Sequence, residues 1–82
     1  MDVDYFKMLD EIRSTKVVYN IHFCRAGIGI QFFDPPSGFD HVRFIYEPNQ
    51  VDWKKYLVVY KYYPTLQEAI AGEYRRIVLK EA

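Results

Sequence analysis

The sequence predicts an α+β domain in which a helix opens the chain, four strands follow as an antiparallel meander, and a second helix closes it. Two observations carry that expectation. Apolar residues recur with a helical period at both ends and with a two-residue period in the middle. Pro and Gly clusters punctuate the chain between those stretches. The strand connections are short enough for hairpins, so the simplest arrangement places both helices on one face of a four-stranded sheet.

Residues 2–14 read as the first helix. Tyr5, Met8, Leu9 and Ile12 fall at i, i+3, i+4 and i+7, and Val3 and Phe6 widen that stripe. Asp2 and Asp4 suit the positive end of the helix dipole. Residues 16–25 read as a strand, with Val17, Tyr19, Ile21 and Phe23 on one side. Residues 28–33 read as its partner, with Ile28, Ile30 and Phe32 on one side. An Ala26-Gly27 turn sets Phe23 against Ile30 and Ile21 against Phe32, so both apolar sets share a face.

Asp34-Pro-Pro-Ser-Gly-Phe-Asp40 reads as a loop, because its prolines cannot donate to a ladder. Residues 41–47 read as a third strand, with Val42, Phe44 and Tyr46 alternating against His41, Arg43 and Ile45. After a loop at Pro48–Asp52, residues 55–63 read as a fourth strand, apolar on both sides and hence central or covered. Pro64 ends it. Thr65-Leu-Gln-Glu68 is a capping box, and Leu66, Ala69, Ile70, Tyr74 and Ile77 form the buried stripe of the second helix. Gly72 sits inside that helix, where glycine is unfavourable, which suggests a close approach by another part of the chain.

A length of 82 residues makes residues 1–82 one domain. Aromatic residues make up 18% of the chain, and their large buried area helps a short sequence close a core. The formal net charge is zero, which argues against general nucleic-acid binding. Cys24 is the only cysteine, so no internal disulfide is possible. The first residues do not read as a signal peptide, no apolar run approaches a membrane span, and a cytoplasmic location is the expectation.

No stretch carries a catalytic, metal or phosphate motif, and neither an enzyme nor a cofactor is expected. His22, Cys24 and His41 are the best metal or nucleophile candidates. His22 and Cys24 lie two apart on one strand, about 6.5–7 Å between side-chain roots, too far for a catalytic pair. Asp34 and Asp40 bracket a loop and read as turn formers. Gly27-Ile28-Gly29 leads into a strand, whereas a phosphate cradle leads into a helix.

The favoured expectation is a protein-interaction module, an inhibitor or regulator of the type carried by phages and mobile elements. It would bind a larger protein or a second copy through the outer sheet face. Val18, Phe33, Ile45, Leu57 and Val59 supply apolar surface there, with Arg43 and Lys61 among them and Trp53 as a rim anchor. The alternative is nucleic-acid binding through Lys54, Lys55, Lys61 and Arg43 with neighbouring aromatics, assisted by Arg75 and Arg76.

Overall fold

The computed structural model describes residues 3–81. It contains α1 (Tyr5–Thr15), β1 (Val17–Cys24), β2 (Gly27–Phe33), α2 (His41–Tyr46), β3 (Leu57–Val59) and α3 (Leu66–Glu73). Single 3-10 turns at Pro48–Gln50 and Trp53–Tyr56 lie between α2 and β3, and α3 runs on into a π-turn, Tyr74–Val78. The expected helical position Asp2 lies outside the described residues.

The α+β class and the antiparallel pairing hold, but the sheet has three strands, in the order β1-β2-β3. Residues 41–47, expected as a strand, form α2 instead. The Asp40 carboxylate accepts the Arg43 N–H at 2.9 Å, capping the first turn. The Glu47 N–H closes the last turn on the Arg43 carbonyl at 2.7 Å. Arg43 and Glu47 then pair across one turn at 3.6 Å. The fourth expected strand contracts to Leu57–Val59, followed by a lone bridge between Ile28 and Tyr63.

The β1–β2 hairpin forms in a different register. Cys24 faces Gly27, Phe23 faces Ile28 and Ile21 faces Ile30. The turn is Arg25-Ala26, and Gly27 follows it at φ +127°, a conformation closed to residues with a side chain. A bulge at Tyr19 then interrupts the ladder between Val18 and Asn20. The extra residue inverts every side chain before it. Val18 therefore joins Phe32 on the helix side, while Val17 and Tyr19 move to the outer side with Phe33.

The core lies between one face of β2 and the two terminal helices. Ile12 of α1, Ile30 and Phe32 of β2, Ala69 and Ile70 of α3 and Ile77 of the π-turn form one buried cluster. Val18 packs against that cluster, so it is no part of an outer surface. Asp4 caps α1 by accepting the Lys7 N–H at 3.0 Å, and Thr65 caps α3 by accepting the Glu68 N–H at 3.1 Å. Leu66, expected to be buried, is exposed on α3.

One buried residue of α3 is charged. Glu73 accepts the Tyr63 hydroxyl at 2.9 Å and is ion-paired with Arg76, whose Nε reaches it at 3.3 Å. Burial and the bond to Glu73 raise the Tyr63 hydroxyl pKa to about 12. Tyr63 also explains Gly72: a methyl group there would stand 2.6 Å from the Tyr63 ring and hydroxyl oxygen.

Candidate interaction surface

Phe33 projects from the outer face of the sheet, and α2 is built onto it. The Phe44 ring stacks on Phe33 with centroids 5.5 Å apart, and Phe39 meets Phe33 edge-on at the same 5.5 Å. Trp53 closes the cluster, 5.7 Å from Phe44 and 5.6 Å from Tyr19. Tyr56 packs edge-on against Phe39 at 5.4 Å. Each such aromatic pair adds about 0.5–1.5 kcal/mol beyond its buried area. That attachment is necessary, because a six-residue helix has no stability of its own in water.

The outer face is thus partly roofed by the chain itself, contrary to the expectation of a bare sheet. Phe33, Leu57, Val59 and Trp53 are half-buried. At the hairpin end the Tyr62 hydroxyl bonds His22 Nδ1 at 2.9 Å, laying a second aromatic ring over the sheet. What stays open is a groove between β1 and α2 of about 290 Å³, lined by Val17, Tyr19, Phe33, Phe44, Trp53 and His41. Its walls are almost wholly apolar side chains.

The apolar surface continues from the groove over α2. At 100° per residue, Phe44 and His41 face the groove, Ile45 follows, and Val42 and Tyr46 come next around the helix. Only Arg43 and Glu47, paired with each other, occupy the remaining arc. No residue of α2 is buried. Val42 is 65% exposed, Ile45 70% and Tyr46 80%, so three large apolar side chains face solvent side by side. Val17 and Tyr19 extend the patch across the groove at 63% and 50% exposure.

The residues expected to form the surface are therefore divided. Phe33 and Trp53 line the groove, while Ile45 and Arg43 lie on α2. Leu57 and Val59 lie on the outer face opposite Phe33 and Gln31. Lys61 is exposed beyond β3, with its ammonium 5.3 Å above the Tyr63 ring. Sequence reasoning missed Val17, Tyr19, Val42 and Tyr46, because the bulge and α2 both change which side each residue takes.

Most of the other candidate groups are occupied structurally, while Cys24 is a free thiol exposed on β1. Asp40 is the α2 cap, and Asp34 accepts both Lys16 Nζ at 3.1 Å and the Tyr60 hydroxyl. His41 packs on Phe39 at 5.0 Å, and His22 on Tyr62 at 5.8 Å. Among the described residues no group of three or more His, Cys, Asp or Glu is arranged to hold a metal ion. The cations separate into two groups. Lys54 and Lys55 lie over Trp53 and Tyr56, whereas Lys61, Arg75 and Arg76 border a different concavity beside Tyr63. Among the described residues no helix is long and apolar enough to cross a membrane.

Compared with models of known families, with curated proteins and with solved structures, the chain has no match in any of the three.

Proposed function

We propose that the protein is a non-enzymatic interaction module that binds a larger protein through α2 and the groove beside it, acting as an inhibitor or regulator by occupying the partner's surface. The observation that carries this reading is the run of Val42, Ile45 and Tyr46 on solvent, continuous with an apolar groove. A short helix anchored through Phe44 has one reason to keep its opposite side polar, namely solubility, and it does not do so. The groove accepts one or two apolar side chains of a partner, and Trp53 and Tyr46 supply the large rings that dominate binding energy at such contacts. Arg43 and Glu47 form a polar rim that sets orientation.

Ile45→Asp combined with Tyr46→Asp tests the reading. Both side chains are exposed, so the thermal midpoint should stay within a few degrees of the parent. Affinity for the protein captured by the parent should fall by about a hundredfold or more. Undiminished capture by the double variant would refute this surface as the binding site.

A further inference from the structure

A second feature is independent of that groove. β1 is an edge strand, eight residues long, without proline, and with no charged residue between Lys16 and Arg25. Asn20, His22, Phe23 and Cys24 are all exposed. Natural edges of this length are ordinarily blunted by charge, proline or a covering element. Here the bulge at Tyr19 disturbs only the first half.

The open half has a definite hydrogen-bond phase. Ile28 donates its N–H to the Tyr63 carbonyl and accepts the Tyr63 N–H, both at 2.8 Å, so its backbone groups point away from β1. Phe23, directly opposite Ile28, therefore directs its own N–H and C=O toward the open edge. Ile21, two residues earlier in an unbroken register, does the same. Its N–H is met by the side-chain oxygen of its neighbour Asn20 at 2.9 Å, a local stand-in for a strand partner.

We propose that this edge pairs antiparallel with the same edge of a second copy, about a two-fold axis at His22. Two residues with outward backbone groups, Ile21 and Phe23, are then each other's partners, giving four N–H···O bonds after Asn20 releases the Ile21 N–H. The register is self-complementary in side chains too. Ile21 meets Phe23 of the second copy twice on the helix side, covering a Phe23 ring that is 65% exposed in the single chain. Asn20 meets Cys24 on the outer side, and Arg25 meets Tyr19, so no like-charged Lys or Arg pair forms. A formal net charge of zero adds no long-range repulsion between copies. A contact of two short strands is small, so the association is weak, on the order of 10–100 μM.

Sedimentation velocity at loadings from about 10 to 500 μM should show a monomer–dimer equilibrium in that range. Phe23→Lys, the usual edge-protecting residue, should weaken it by about tenfold or more with the thermal midpoint unchanged. A trap tests the register separately. Asn20 and Cys24 of one chain are about 13 Å apart, beyond disulfide reach, but across the two-fold they form a close, non-hydrogen-bonded pair. Asn20→Cys with native Cys24 should yield a covalent dimer with oxidised glutathione, and Asn20→Cys with Cys24→Ser should not. A parent that stays monomeric at 500 μM, a dimer insensitive to Phe23→Lys, or equal cross-linking of both cysteine variants would each overturn the proposal. Ile45→Asp with Tyr46→Asp should leave this dimer intact, so failure here is separable from failure of the α2 surface.

Discussion

Replacing Gly72 by alanine gives a result opposite to the helix rule. In an exposed helix interior the change stabilises by about 1 kcal/mol, because glycine loses more backbone entropy on folding. At Gly72 the new methyl would stand 2.6 Å from the Tyr63 ring and hydroxyl oxygen, and Gly72 itself is buried. The ring cannot swing freely, since its hydroxyl holds buried Glu73 and its backbone bridges Ile28. Overpacking costs about 1–3 kcal/mol, and a displaced hydroxyl forfeits a charged hydrogen bond worth about 1.5–3 kcal/mol. Set against the propensity gain, the net is a loss of about 1.5–5 kcal/mol, or a thermal midpoint lower by about 6 °C or more in a domain of this size. Melting followed by circular dichroism reads it directly. With Tyr63→Leu already present, Gly72→Ala should become neutral or stabilising. A higher midpoint for Gly72→Ala alone would refute the packing argument.

Three further outcomes follow from the same geometry. The Tyr63 hydroxyl binds its proton more tightly in the folded state, at about 12 against an ordinary 10, so its contribution is full below pH 10 and is lost as pH rises through 12. Denaturant midpoints measured from pH 9 to 12 should fall less steeply for Tyr63→Phe than for the parent. Lys80 is the one non-glycine residue with positive φ among the described residues, at +56°, just past the π-turn. Lys80→Gly should stabilise by up to about 1 kcal/mol, read as a rise in midpoint. Phe44→Ala should release α2 from Phe33 and cost about 2–4 kcal/mol, with amide exchange at residues 41–46 rising to that of free peptide.

Much of the fold is legible in the residues. The terminal helices follow from the spacing of Tyr5, Met8, Leu9 and Ile12 and from the Thr65 cap, and both reach the core with Ile30 and Phe32. α2 is not legible by period. Val42, Phe44 and Tyr46 alternate as a strand would, and six residues are too few for a 3.6-residue period to declare itself. The available signal was Asp40 three residues ahead of Arg43, with Pro48 after the end. The bulge has no comparable signature, since Val17, Val18 and Tyr19 are apolar on either face, so plain alternation places Val18 on the outer side. The burial of Glu73 has no local signal, because its partner Tyr63 lies ten positions earlier in another element.

Binding through α2 requires that the helix present its apolar side outward to a partner. A photo-cross-linking amino acid placed at Ile45, in cells producing the protein, addresses this most directly, with the exposed Gln67 of α3 as the reference position. The expected result is one discrete adduct from position 45, absent from position 67 and lost when Tyr46→Asp is added. Equal labelling from both positions, or an adduct that survives Tyr46→Asp, would contradict it.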